Sequence, residues 1–317
     1  MLEVGVQTKG IIEGRVTEPG FAMIAEAGFD CVDFNLDVFL QNNEIYMGEL
    51  NHFFDKDEAQ LESFFIPYKQ AMEKYGLRAS QMHAPYPVMV YGRTQQNRYM
   101  QEQVIPKSLM IAHMMDIPHV VIHPWKLQYR LDAETEQREN LSYFRSLIPL
   151  AEQYHVMICM ENLYESVGGR IVEGVCADPE EAVREIEILN EYAGKELFGF
   201  CLDTGHMNLT RRNAYEMIST LGAHLKILHL HDNDAQGDLH QMPYTFRRKD
   251  FGEGVNWNDV LDGLGKVHYR GVLSFETYPC VNSFPENLSL EVLRVICQTG
   301  RYFAQVLEKE DAGWETL

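Results

Sequence analysis

The chain alternates short apolar runs with longer segments whose apolar residues recur at helical spacing. Each short run is rich in Val, Ile, Leu, Phe or Met, as expected of strands buried on both faces. The eight runs are Val4–Thr8, Cys31–Asn35, Arg78–His83, His119–His123, Val156–Glu161, Leu197–Asp203, Lys226–His231 and Gly271–Glu276. Apolar residues three and four apart between the runs, such as Phe21, Ile24 and Ala25, predict amphipathic helices.

Strands that alternate with helices eight times indicate parallel βαβ units. For a chain of 317 residues, the natural closure is a (β/α)8 TIM barrel, an α/β fold that fills this length as one domain. No Gly/Ser- or Pro-rich linker interrupts the alternation. We therefore expect a single domain over residues 1–317, with a helix from Asn287 to about Glu310 and a frayed tail over 311–317.

The chain is strongly acidic, with 47 Asp and Glu, 27 Lys and Arg, and a formal net charge of −20. Nucleic-acid-binding surfaces usually cluster Lys and Arg against phosphates, so this balance disfavours a nucleic-acid partner. No stretch approaches a membrane span, and the first strand begins so close to Met1 that we expect no signal peptide. Six scattered cysteines without CxxC spacing suit a reducing, cytoplasmic setting.

Acidic and imidazole residues gather at or just after the ends of the strand-like runs. They are His83, His123, Glu161, Asp203 with His206, His229 with His231, Asp238 with His240, and Glu276. In a parallel barrel these strand ends meet at one rim, so the side chains are expected to share a site. Too few cations accompany the buried carboxylates to neutralise them. Carboxylate and imidazole donors without thiolate favour a divalent metal (Mn, Zn, Mg or Co), and no organic cofactor is expected.

His229 and His231 lie two residues apart, so both side chains point to the same side of their strand. Either imidazole could enter the barrel mouth, and one of them could orient a ligand rather than bind the metal. Asp203 and His206 are three residues apart, across a turn that Gly205 permits. Both could face one ion.

Four motifs give the chain a family resemblance. They are Leu202-Asp-Thr-Gly-His-Met-Asn208, His229-Leu-His-Asp-Asn-Asp234 with Asp238-Leu-His240, Gly252-Glu-Gly254 leading to Asn256-Trp257, and Ser274-Phe-Glu-Thr277. With them the chain resembles the xylose isomerase-like TIM-barrel superfamily, which includes sugar-phosphate isomerases, epimerases and endonuclease IV. The resemblance extends from the first strand to the eighth helix.

The resemblance to the single-metal epimerases implies that Glu161, Asp203, His229 and Glu276 are metal ligands. It also implies that the two glutamates form an acid/base pair and that His206 contacts the substrate. In endonuclease IV, nine matching positions hold three zinc ions. In this chain the nine are His83, His123, Glu161, Asp203, His206, His229, Asp238, His240 and Glu276, and all nine residue types are retained. The number of metal ions therefore stays open, and His231 is a further candidate for metal or substrate.

The main functional hypothesis is a divalent-metal-dependent sugar isomerase or epimerase that transfers a proton through a metal-stabilised enediolate. The loops after Asn35 and Glu161 are not basic, which suits a small carbohydrate better than bent DNA. The residues predicted to bind substrate are Trp125, Asn162, His206 and Arg247, with Tyr86, Tyr164, Trp257 and Phe39 as apolar walls and Gln7 and Asn208 as hydroxyl partners. A phosphate would need cations such as Lys126, Arg130, Arg170, Arg247 or Arg248, and a non-phosphorylated sugar is favoured.

Three alternatives stay open. A lyase or dehydratase, resembling inosose dehydratase or a C-glycoside-cleaving subunit, would use the same metal but expel a leaving group from a keto-sugar derivative. The nine retained residue types keep an endonuclease IV-like phosphodiesterase in view. A non-catalytic binding module is disfavoured because both glutamates persist. Relatives often pair through outer helices, so a homo-oligomer also stays open.

Overall fold

A ring of eight parallel strands forms the centre of the computed structural model, which describes residues 1–12, 18–127, 133–246 and 253–314. The strands are β1 (Val4–Gln7), β2 (Cys31–Asn35), β3 (Arg78–His83), β4 (His119–Ile122), β5 (Met157–Glu161), β8 (Phe198–Asp203), β9 (Leu225–His229) and β10 (Leu273–Phe275). Each strand pairs with the next, and β1 also pairs with β10. Leu230 forms the parallel bridge to Phe275 that closes the ring. The predicted TIM barrel is confirmed.

The remaining two strands lie outside the ring, in the loop after β5. They form an antiparallel hairpin of β6 (Tyr164–Val167) and β7 (Arg170–Glu173). No strand is predicted there from the sequence, because the hairpin is half-exposed and lacks an apolar run. The hairpin stands above the carboxyl end of β5, which ends at Glu161.

Helices surround the ring and pack against one another. They are α1 (Glu18–Ala27), α2 (Asn42–Met47), α3 (Glu58–Lys74), α4 (Thr94–Tyr99), α5 (Ile105–Met114), α6 (Ala133–Tyr154), α7 (Pro179–Ala193), α8 (Thr204–Leu209), α9 (Ala214–Leu221), α10 (Trp257–Lys266), α11 (Tyr278–Asn282) and α12 (Ser289–Trp314). The last helix continues to Trp314, so residues 311–314 belong to it rather than to the predicted tail. Residues 315–317 lie outside the described part. Among the described helices, none is long and apolar enough to cross a membrane.

Small apolar side chains fill the barrel beneath the strand ends. A buried cluster there consists of Val121, Cys159, Cys201 and Ile227, from four neighbouring strands. Side chains two positions apart on a strand point to the same side. The next layer towards the rim is therefore formed by His123, Glu161, Asp203 and His229. The two-residue period of the strands thus places this layer of polar side chains directly above the layer of buried apolar side chains.

Candidate metal centre

The structure brings the predicted ligand candidates together at the carboxyl rim of the barrel. In four groups of three, one possible ligand atom from each residue lies within 4.8 Å of the others. The groups are His83–Glu161–His229, His231–Asp238–His240, Glu161–Asp203–His206 and Asp203–His231–Glu276. His123 joins them through Glu161. Every acidic and imidazole residue predicted at the rim is therefore part of one connected centre.

Glu161 lies at the middle of the imidazoles. Its Oε2 is 3.0 Å from His123 Nε2 and 3.5 Å from His83 Nε2. Its Oε1 is 3.3 Å from His206 Nδ1 and 3.6 Å from His229 Nδ1. Burial alone would raise the pKa of Glu161, but the His123 and His229 imidazoles outweigh burial and hold that pKa well below its usual value. Glu161 is therefore an ionised carboxylate.

Asp203 ends β8 and is fixed from two sides. The Asn162 side chain donates to the Asp203 carbonyl at 2.9 Å and accepts from its N–H at 2.8 Å. The Asp203 carboxylate caps α8 by accepting from the His206 N–H at 2.7 Å. His231 Nε2 then lies 2.9 Å from Asp203 Oδ1 and 3.0 Å from Oδ2. Both carboxylate oxygens thus have partners and a fixed direction.

His229 and His231 have different partners, although both point into the barrel. His229 Nδ1 is 3.5 Å from Glu276 Oε2, and its Nε2 is 3.0 Å from Asp33 Oδ2. His231 is instead grouped with Asp203 and Glu276. Asp33, on β2, is not among the predicted site residues. Its signal is a carboxylate in the middle of a fully buried strand.

Asp238 and His240 approach the centre from the loop after β9. Asp238 Oδ2 lies 3.2 Å from His240 Nε2 and 3.4 Å from His206 Nε2. His240 Nδ1 faces the Glu276 backbone carbonyl at 3.0 Å, and its ring stacks on His231 with centroids 3.9 Å apart. His240 has a φ of 44°, a left-handed backbone that costs a non-glycine residue about 1 kcal/mol. The contacts of Asp238 and His240 with the centre therefore hold the loop after β9 in this conformation.

The donor set fits a divalent cation. Among the described residues, buried Asp238 Oδ1 and His229 Nδ1 have no hydrogen-bond partner, although both belong to residues of the ligand groups. Buried polar atoms rarely stay unsatisfied, so a cation at the centre accounts for them. Burial raises the pKa values of the Cys159 and Cys201 thiols beneath, so neither supplies a competing thiolate. Carboxylate and neutral imidazole are the donors that Mn, Zn or Co accepts.

Two adjoining cavities open above the centre. The first has a volume of about 520 Å³ and is lined by Glu161, His206 and Glu276 together with loops after β2, β3 and β5. The second, of about 490 Å³, is lined by Lys9 and Asp37. The cavities share the linings Asn42, Tyr86, Asp238, His240 and Glu276. The centre is therefore open to a ligand from two sides.

Several residues predicted to contact substrate have other positions. Trp125 does not line either cavity and stacks on Tyr143, with ring centroids 4.6 Å apart. Asn162 has both amide groups bonded to Asp203, so it positions that residue. Trp257 and Phe39 are buried in the core. Gln7 is fully buried, and the Asn208 amide donates to Asn233 and to the Glu253 carbonyl.

Other predicted contacts do line the first cavity, namely Tyr86, Tyr164, Lys126 and His206. Lys126 Nζ donates to the Tyr164 carbonyl at 2.6 Å, and burial lowers the Lys126 pKa. Of the candidate phosphate ligands, Arg170 is exposed on the hairpin. Arg130, Arg247 and Arg248 lie outside the described residues.

Comparison with known proteins gives a family and a fold. The chain is 24% identical over 182 residues to "Uncharacterized protein y4fM" of Sinorhizobium fredii (strain NBRC 101917 / NGR234), which is 55% of this chain and 52% of that protein. The match thus spans about half the length of that relative. A structure of L-ribulose 3-epimerase superposes with a TM-score of 0.69 at 15% identity, covering 100% of this chain and 98% of the other. The IOLI protein with a bound zinc atom gives 0.63 at 15% identity, with coverages of 98% and 99%.

These two structural likenesses, at such low identity, establish a shared fold. The family match is independent of them, since it concerns the sequence. A family model described as "Xylose isomerase-like TIM barrel" matches residues 21–298, most of the chain. The protein therefore belongs to the xylose isomerase-like TIM-barrel family.

Proposed function

We propose that the protein is a metal-dependent isomerase or epimerase acting on a small carbohydrate. One observation carries the proposal: Glu161 and Glu276 line the same cavity, and both carboxylates approach His229. His229 Nδ1 lies 3.6 Å from Glu161 Oε1 and 3.5 Å from Glu276 Oε2, so both carboxylates lie close to the same ring nitrogen. Two carboxylates at one substrate site can remove a proton and return it from the same or the opposite face.

Asp203, His231, Glu276 and Glu161 are the proposed ligands of the ion. Asp203, His231 and Glu276 form one group of converging donors, and Glu161 joins Asp203 in another. This assignment exchanges His229 of the family-implied set for His231, because His231 forms a group of converging donor atoms with Asp203 and Glu276, whereas His229 groups with His83 and Glu161. His229, held by Asp33, remains within reach of both glutamates. Mn, Zn, Mg and Co are all candidates for the ion.

When bound, the cation would supply a Lewis acid that stabilises negative charge developing on the substrate oxygens. Glu161 or Glu276 would remove a proton from the carbon beside the substrate carbonyl. The same carboxylate returns the proton in a 1,2-isomerisation, whereas the opposite carboxylate returns it in an epimerisation. His206, between Glu161 and Asp238, is placed to bind a substrate hydroxyl.

Two comparisons support the proposal. L-ribulose 3-epimerase, by its name, epimerises a ketose, and the IOLI protein binds zinc on the same fold. All six cysteines are free and buried, in keeping with the cytoplasmic setting that we propose.

A phosphodiesterase of the endonuclease IV type is the second candidate. Its supporting observation is that all nine matching residues converge, leaving groups such as His231–Asp238–His240 able to hold further ions. The metal content of the purified protein separates the two. One ion per chain supports the sugar enzyme, and three ions together with nicking of an abasic duplex would replace it.

Proton exchange in deuterated water tests the main proposal. The metal-loaded protein is incubated with a panel of ketoses, ketose phosphates and keto-glycosides, and we expect deuterium at the carbon beside the carbonyl. Glu276→Gln should abolish the label, while Glu62→Gln, an equal change on the exposed face of α3, should not. If no compound gains label at any metal loading, the proposal fails. Loss of a β substituent instead of exchange would identify a lyase.

A further inference from the structure

The first cavity has a polar floor and an apolar wall. Its floor is the metal centre, whereas one wall is the continuous segment Pro87–Tyr91 after β3. Across four positions, from Pro87 to Val90, this wall offers no side-chain nitrogen or hydroxyl. Val88 is 2% exposed and anchors the wall in the core, and Met89 and Val90 are half-buried beside the cavity. The wall is therefore a fixed apolar surface next to an ionic site.

Aromatic side chains continue this surface to the cavity mouth. Tyr46 and Tyr91 both line the cavity, with 54% and 70% of their surface exposed. Tyr164, from the hairpin, completes the lining, and the ammonium of Lys126 lies 5.1 Å from its ring centroid. Exposed aromatic rings at the mouth of a cavity are typical of binding sites that cover them with ligand.

The second cavity has the opposite character. Lys9 forms an ion pair with Asp37, and its ammonium lies 4.8 Å from the Tyr278 ring centroid. The amides of Asn42 and Asn282 also line this cavity. Because Asp37 neutralises the charge of Lys9, the second cavity suits hydroxyl groups better than phosphate.

A free monosaccharide matches only part of this surface. It carries a hydroxyl on nearly every carbon, and each hydroxyl pressed against the Pro87–Tyr91 wall would lose its hydrogen bonds. A sugar ring over the metal centre can turn its hydroxyls towards Lys9 and Asp37. The apolar wall is then left for a substituent on that ring, and an apolar substituent would bury it without losing hydrogen bonds.

From this match, and resting on the proposed function, we infer that the substrate is a glycoside with an apolar, preferably aromatic, aglycone. A glycosidic bond locks the anomeric carbon as an acetal, so that carbon cannot supply the carbonyl. The reacting carbonyl is therefore a ketone elsewhere on the ring. Glu161 and Glu276 move one proton at the carbon beside it, and the glycosidic bond and the oxidation level of the sugar are unchanged.

The test compares three compounds: a ring-ketone phenyl glycoside, the methyl glycoside with the same ring stereochemistry, and a free ketose whose sugar has the same number of carbons. Deuterium incorporation gives kcat/KM for each. We expect the phenyl glycoside to exceed the methyl glycoside by about tenfold or more, because only the phenyl ring reaches the wall. The free ketose should be poorest.

Variants locate the effect on the wall. Tyr91→Ala and Met89→Gln should each lower kcat/KM for the phenyl glycoside severalfold while leaving the methyl glycoside within about twofold. Tyr192→Ala removes another exposed tyrosine, on α7 and outside both cavities, and should change neither. Equal rates for the phenyl and methyl compounds, or a preference for the free ketose, would overturn the inference but leave the proposed function standing. Absence of label from all three compounds and from the wider panel would instead refute the proposed function.

Discussion

The imidazole of His231 packs directly against the α-carbon of Gly205. A methyl group on Gly205 would overlap the His231 ring and lie 2.5 Å from Nδ1. The ring cannot retreat freely, since its other face stacks on His240. Because Gly205 has no side chain, the His231 ring can occupy the space beside the turn between Asp203 and His206.

Gly205→Ala should therefore displace His231 from Asp203 and weaken metal binding by about 10- to 100-fold, the range seen when ligand positioning is disturbed. Metal content after dialysis against graded chelator measures the loss. Gly237→Ala is the matched control, because a methyl group there meets nothing closer than 3.4 Å. Equal metal retention by the two variants would contradict the placement of His231.

Asn162→Ala should lower the free energy of unfolding by about 1–3 kcal/mol, because two buried backbone groups of Asp203 lose their partner. Urea denaturation of the metal-free protein measures this without a contribution from the ion. Asn43→Ala, at an exposed position on α2, should cost far less. A variant as stable as the parent would mean that Asn162 does not hold Asp203.

Chelation should destabilise the protein. Without the cation, Glu161, Asp203, Asp238 and Glu276 share a small buried volume, where neighbouring imidazoles relieve part of the repulsion between the carboxylates. Adding a fitting metal at about 100 times its Kd should raise the free energy of unfolding by about 2.7 kcal/mol. Thermal melts with EDTA and then with Mn, Zn, Mg or Co rank the ions. An unchanged Tm with every ion would argue against a metal centre.

Glu185, on α7, should make stability fall as the pH rises. Burial, with help from the carboxylates of Glu181 and Glu136, raises its pKa from 4.5 to about 7. The folded protein therefore holds a proton that the unfolded chain has released, so stability is full below pH 4.5 and declines towards pH 7. The expected loss is on the order of 3 kcal/mol.

Glu185→Gln isolates this group from other titrations. Without its carboxyl, the variant should gain stability relative to the parent between pH 5 and 7 when both are unfolded by urea with chelator present. A constant difference across that interval would show that Glu185 titrates normally.

The sequence predicted the barrel because strand and helix periods differ, and it predicted the rim because parallel strands end together. It could not choose between His229 and His231, since a period of two sends both side chains inward. Which histidine contacts Asp203 depends on the height of each imidazole along the barrel axis, and the tilt of the strands sets that height. The position of Trp125 could not be predicted for a similar reason: its stacking on Tyr143 joins a loop to α6, and no local spacing reports such a contact.

The bridge at Leu230 lies between two proposed ligands. Its N–H donates to the Ser274 carbonyl at 2.8 Å, and its carbonyl accepts from the Glu276 N–H at 3.1 Å. His231 follows Leu230 directly, so an ion held by His231 and Glu276 would span the seam where the first and last parts of the barrel meet. The ion would then stabilise the pairing that closes the barrel. Amide hydrogen exchange at Leu230 and Glu276 would therefore slow when the ion binds.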